Sequence, residues 1–206
     1  MHALIIVDVQ YDFLPNGALP VTAGDTIIPV INSLQENYDL VVATQDWHPV
    51  DHHSFASTHI DHRPFDIINL EGLEQTLWPD HCIQGTTGAM LSRQLDTKRV
   101  EAIFRKGTDP LIDSYSGFFD NGRRKQTGMA GYLKDRGVTA VSVCGLAADY
   151  CVYFTAMDAL ELGFSVNIIS DAVRPIDVSA YATKQQLFVE RGGKLITGSV
   201  PKPDKL

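Results

Sequence analysis

Cysteine is scarce in this chain: three in 206 residues, at positions 82, 144 and 151. A set that is odd in number and irregular in spacing argues against a disulfide framework and leaves a free thiol with a role as the reading to pursue. Positive charge is also short, with 17 Lys and Arg against 25 Asp and Glu, a formal net charge of −8. Nothing concentrates cations into a phosphate-neutralising face, which argues against nucleic acid or an anionic membrane as partner. The short run Arg123, Arg124, Lys125 reads as a solvated turn. Long hydrophobic runs are missing too. The amino-terminal MHALIIVDVQ has only five consecutive apolar residues before Asp8, far short of a membrane span and with no cationic leader, so the expected location is the cytoplasm. There is no internal repeat, low-complexity tract or interdomain linker. A composition that is 44% hydrophobic and 20% charged over 206 residues suits one soluble domain, 1–206, with one sizeable core.

What is present is a rhythm. Short apolar runs, ALIIVDV, DLVVATQD, RVEAIFRK, VTAVSVCG, FSVNIISDA and KLIT, alternate with helical patterns such as DTIIPVINSLQENY, GMAGYLKDRG, YCVYFTAMDALELG and YATKQQLFVERG. Continuous apolar runs suit strands buried on both faces. The pattern predicts a three-layer α/β fold around a doubly wound sheet of about six parallel strands. Gly137, Gly163 and Gly192 fall where helices end before the next strand. The stretch from Trp47 to about Thr86 breaks the rhythm with Pro49, Pro64, Pro79, Gly72 and most of the histidines. A long irregular insertion inside one domain reads as functional, and its DWHP and LWPDHC motifs weigh against disorder.

Reactive groups in such a sheet gather beyond the carboxyl ends of its strands. Asp8 closes LIIVD, and a carboxylate there is costly unless a cation or hydrogen-bond donor meets it. Lys106 ends a strand as well and would keep Asp8 ionised. From these two residues alone, an ion pair knitting two strands is the simpler account. A third strand end changes the balance. In AVSVCGLAADYCVYFTA a strand and a glycine-containing turn lead into an amphipathic helix with Cys151 in its first turn, where peptide dipoles favour a thiolate. Cys151 is the expected nucleophile. Cys144, inside its strand, reads as core packing, and Cys82 as apolar filler rather than metal ligand. Asp46 and His48 alternate at a strand exit and could face one ion, while His81 arrives from the long loop; three N/O ligands leave positions open for water and substrate.

Asp8 after an apolar strand, the KG that opens a loop ending in YSGF, and CGLAADYCV together resemble the isochorismatase-like cysteine hydrolases. The segments DVQYDFLPNGAL, TQDWHP, WPDHCIQGT and GLAADYCV are most similar to the nicotinamidases among them. The resemblance runs through nearly the whole chain in the family's order. It implies the isochorismatase-like hydrolase fold and an Asp8, Lys106, Cys151 triad that hydrolyses nicotinamide to nicotinate and ammonia through a thioester, with pyrazinamide as a side substrate. It further implies an oxyanion hole from the N–H groups of Ala147 and Cys151, in a turn built around a cis peptide preceding the alanine. It supports Asp46, His48 and His81 as ligands of one divalent ion, zinc first and iron or manganese as alternatives. Phe13, Trp78 and Tyr115 correspond to ring-contacting positions, with Leu19 near the same mouth. Participation of His52 or His53 stays open, as does a homo-oligomer. His59 and His62 read as loop residues. The competing accounts are a carbamoyl or ureido amidase, which would keep the triad but not need the metal ligands, and an interaction module without catalysis.

Overall fold

In a computed structural model that describes residues 1–198, the apolar runs become strands. They are β1 (His2–Val7), β2 (Leu40–Asp46), β3 (Ile67–Leu70), β4 (Leu73–Thr76), β5 (Val100–Lys106), β6 (Ala140–Leu146), β7 (Ser165–Arg174) and β8 (Lys194–Ile196). The α-helices are α1 (Ile28–Leu34), α2 (Met129–Asp135), α3 (Tyr153–Glu161) and α4 (Val178–Glu190). Six strands form one parallel sheet in the order β5-β2-β1-β6-β7-β8. The expected strand runs and their parallel pairing are all found in it.

Alternation along the strands sorts side chains to two faces. Ile5, Val7, Val42 and Val143 pack with Met129 and Leu133 of α2, Ala156 of α3 and Phe188 of α4. Leu4, Ile6, Val41 and Cys144 pack with Ile28, Ile31 and Leu34 of α1. Helices therefore cover both faces, the expected three layers. Gly137, Gly163 and Gly192 carry φ of 70°, 89° and 94° just past the ends of α2, α3 and α4, the left-handed backbone that stops a helix there.

Two features depart from the sequence reading. The irregular insertion contains an antiparallel hairpin, β3 with β4, closed by Glu71 and Gly72 at φ 52° and 86°. Two positive φ values in a two-residue loop match the twist of a tight hairpin. The helix expected to begin around Cys151 is preceded instead by a π turn, Ala148–Val152, and α3 starts only at Tyr153. Among the described residues no helix is long and apolar enough to cross a membrane.

The chain order sets the site. From β1 it moves outward through β2 and β5 on one side, then returns to β6, β7 and β8 on the other. A doubly wound sheet opens a crevice at that reversal, beyond the carboxyl ends of its strands. Here it lies between β1 and β6, whose final residues are followed by Asp8 and by the turn that carries Cys151.

Candidate active site and metal centre

Asp8 follows β1 with φ 47° and is fully buried. Its Oδ1 accepts the Thr44 hydroxyl at 2.6 Å, and its Oδ2 lies 3.0 Å from Lys106 Nζ. That ammonium, at the end of β5, also donates to Asp46 Oδ1 at 2.9 Å, to the Ser114 carbonyl at 2.9 Å and to Cys151 Sγ at 3.4 Å. The three residues expected to form a triad thus meet, and Lys106 joins them to Asp46.

Burial and charge act against each other here. Burial raises the pKa of Asp8 and that effect wins, although Lys106 and Thr44 oppose it. Burial would lower the pKa of Lys106, but the Asp46 and Asp8 carboxylates hold it well above its usual value. Burial also pushes the Cys151 thiol well up, against the pull of Lys106, and the two neighbouring carboxylates add to the rise. Where the sequence pointed to the helix start as the influence on this thiol, the largest influence in the fold is burial. Cys151 Sγ thus stands 3.4 Å from the Lys106 ammonium, which also holds the Asp8 carboxyl at 3.0 Å.

The second constellation is as compact. Asp46 closes β2, and the nitrogens Nε2 of His48 and of His81 lie 3.0 and 3.4 Å from its Oδ2. His48 Nδ1 bonds the Gly107 carbonyl at 2.9 Å and His81 Nδ1 bonds the Pro79 carbonyl at 2.8 Å. A carbonyl only accepts, so each Nδ1 is the donor there, and Nε2 is the nitrogen that each ring turns toward Asp46. Among the described residues, buried His48 Nε2 has no hydrogen-bond partner, its 3.0 Å approach to Asp46 Oδ2 being an ion-pair contact. Two imidazole nitrogens and a carboxylate oxygen, on buried residues and within 4.8 Å of one another, fit a divalent ion once the rings are deprotonated. His48, His52 and Asp113 make a second such group. His52 is buried 4.3 Å from the His48 ring, with Nδ1 bonded to Ser54 and Nε2 unpartnered. Burial and His48 lower its pKa to about 4, which keeps the ring neutral at pH 7. His53 lies apart, packed on His59, while His62 is exposed beside Asp66.

Between the two constellations is a narrow cavity of about 20 Å³. Phe13, Leu19, Trp78 and Tyr115 line it, together with Asp46, His81, Ala147 and Cys151. The Leu146–Ala147 peptide is cis, as the family resemblance implied. A larger groove of about 420 Å³ lies beyond Tyr115 and carries neither the triad nor the histidines.

Several supporting residues drew no role in the sequence reading. The Gln10 amide brackets the backbone of Asp46, accepting its N–H and donating to its carbonyl, both at 2.8 Å. Gln75 donates to Asp113 and to the Tyr115 hydroxyl, which also receives the Trp78 indole N–H. Asp113, Tyr150 and Ile176 join the cavity wall. Gln10 stands inside DVQYDF, a motif that was visible; Gln75 and Ile176 carry no local signal, because only the fold brings them to the site.

Against known proteins, a family model described as the isochorismatase domain matches residues 2–199. The nicotinamidase of Escherichia coli (strain K12) is 48% identical over 181 residues, covering 86% of this chain and 84% of its own length. Among solved structures, the Acinetobacter baumanii nicotinamidase and pyrazinamidase superposes with a TM-score of 0.94 at 44% identity, covering 96% of each chain. The Pyrococcus horikoshii pyrazinamidase in complex with zinc superposes at 0.78 with 38% identity, covering 95% of this chain and 98% of its own.

Proposed function

The chain belongs to the isochorismatase family, and on that footing we propose that it hydrolyses nicotinamide to nicotinate and ammonia as one catalytic domain, with pyrazinamide as a side substrate. One observation carries the reading: Lys106 Nζ reaches Asp8, Cys151 and Asp46 at once, and the last two line the narrow cavity. That arrangement couples a nucleophile and its base to a metal-ligating group. The likeness to nicotinamidases supports it.

Cys151 Sγ attacks the carboxamide carbon while Asp8 takes the thiol proton. The raised pKa of Asp8 suits it to hold that proton, which passes to the nitrogen as the C–N bond breaks and ammonia leaves. A thioester remains. Asp8 then removes a proton from water, whose oxygen attacks the thioester carbon; the acid departs and the proton returns to sulfur. Lys106 keeps both partners in register and offsets charge on the sulfur. The N–H groups of Ala147 and Cys151 receive the developing oxyanion. Phe13, Trp78 and Tyr115 confine a flat ring. Asp46, His48 and His81 would hold a divalent ion, zinc by analogy with the Pyrococcus relative, which when bound would supply Lewis acidity for a ring nitrogen.

The test is ammonia release from nicotinamide, pyrazinamide and a panel of ureido amides, with Cys151→Ala alongside. Nicotinamide should lead, and Cys151→Ala should lose nearly all turnover with fold and metal content intact. A preference for ureido amides, or substantial activity in Cys151→Ala, overturns the reading.

A further inference from the structure

Asp149 stands two positions before Cys151, is fully buried, and has no part in the chemistry above. Its Oδ1 accepts the backbone N–H of Ile176 and its Oδ2 that of Asp177, both at 2.9 Å. The Asp149 carbonyl accepts Lys184 Nζ of α4 at 2.5 Å, and the same ammonium lies 4.5 Å from the Tyr150 ring centroid. Asp177 in turn caps α4 by accepting the N–H groups of Ser179 and Ala180. The nucleophile's turn and the loop between β7 and α4 are therefore fastened together on both sides of Asp149.

What this fastening delivers to the site is Ile176. Its side chain lines the cavity with Cys151, yet unlike the buried Phe13, Leu19 and Trp78 it keeps partial exposure, a property it shares with Tyr115 and Tyr150. These three form the solvent side of the pocket, and Ile176 is its aliphatic member. A carboxylate that accepts two backbone N–H groups makes strong, charge-assisted bonds. A β-branched side chain adds little freedom of its own. The wall at Ile176 is thus set by the backbone, and the backbone by Asp149.

We propose that Ile176, held in place by the Asp149 carboxylate, is the residue that limits the size of the amide admitted, so that ring-substituted carboxamides are rejected at this wall. Ile176 is the specificity-determining residue and Asp149 its positioning residue. The inference rests on the nicotinamide reading and adds the substrate boundary.

The experiment measures kcat/KM for nicotinamide, 5-methylnicotinamide and 6-methylnicotinamide on the metal-loaded wild type and on Ile176→Ala, Ile176→Phe, Asp149→Asn and Asp149→Ala. The readout is the ratio of methylated to parent substrate, which a general loss of folded protein does not move. One methyl group in a pocket is worth roughly 10- to 200-fold in discrimination. Ile176→Ala should therefore raise the ratio at least about tenfold for one of the two isomers, and Ile176→Phe should lower it. Asp149→Asn keeps one acceptor and loses the other, and Asp149→Ala loses both, so the ratio should rise in that order. Leu133→Ala, in the core under α2, is the control that lowers stability with the ratio unmoved. An unchanged ratio in both Ile176 variants overturns the size limit. A change in the Ile176 variants with none in either Asp149 variant overturns the positioning role, and if the Asp149 variants fail to fold the Ile176 pair still decides the first claim. Wild type that ignores nicotinamide while releasing ammonia from another amide would sink the functional reading instead, a result separable from these.

Discussion

At the scale of single residues, Lys106 is the most exposed to test because it serves two carboxylates, Asp8 and Asp46, whose side chains are 0% and 5% accessible. Removing one partner of a buried ion pair costs about 3–5 kcal/mol, since the other charge is left uncompensated. Lys106→Met should therefore lose turnover and also unfold at markedly lower denaturant. Adding Asp8→Asn should restore part of the stability and none of the activity; a Lys106→Met protein with the wild-type midpoint would show that the ammonium carries no structural load. The sign for Cys151 is equally definite. A thiol whose pKa is raised holds its proton at pH 7, so its thiolate fraction is below that of free cysteine. Iodoacetamide should label Cys151 more slowly than free cysteine at pH 7, with the rate climbing through the alkaline range. Rapid labelling at neutral pH would return the dipole argument to favour. Sequence patterning put Cys151 in the first turn of a helix, whereas it lies in the π turn just before α3, and the burial that raises its pKa comes from neighbours distant in the chain, which local patterning does not show.

At the scale of elements, the turn after β5 shows how one backbone position governs a ligand. Gly107 has φ 63°, and a Cβ added there would strike the His48 ring, coming within 2.7 Å of Nδ1. The same residue's carbonyl holds that ring nitrogen. Gly107→Ala is thus strained twice, by the left-handed backbone and by the collision, and should turn His48 away from Asp46. Metal titration should give an affinity lower by roughly 10- to 100-fold, the range seen when groups that orient a ligand are lost, together with reduced activity. Unaltered affinity would mean that the ring tolerates the push. The strands and long helices were legible because their apolar runs and glycine stops are local signals. The hairpin of β3 and β4 was not. Its strands are four residues each, of mixed burial and with polar Asn69, Glu74 and Gln75 among them, so no period marks them. The π turn was missed for a related reason: it is one residue's difference in hydrogen bonding, which side-chain patterning does not register.

For the whole molecule, the two constellations predict a substrate preference that neither predicts alone. If the ion grips a ring nitrogen, benzamide meets the same nucleophile but leaves that polar partner unmet, and discrimination on the order of 10⁴ is attainable in such cases. Stripping the metal or His48→Ala should then depress kcat/KM for nicotinamide far more than for benzamide. Equal losses for both would assign the ion to bound water or to folding. The sheet order has one more consequence. Lys106 rides on β5, an edge strand that among the described residues is hydrogen-bonded to β2 alone, while Asp8 and Cys151 follow the interior strands β1 and β6. Segments with fewer tertiary ties open locally at lower free energy than the core. The Lys106 ammonium is therefore expected to belong to a unit that detaches while most of the sheet persists. Under rising urea, turnover should fail at a lower midpoint than far-ultraviolet circular dichroism, and amide hydrogens of β5 should exchange ahead of those of β1. Resilience of the fold and resilience of the activity would then be separate properties, and bracing this one margin would extend the second without altering the first.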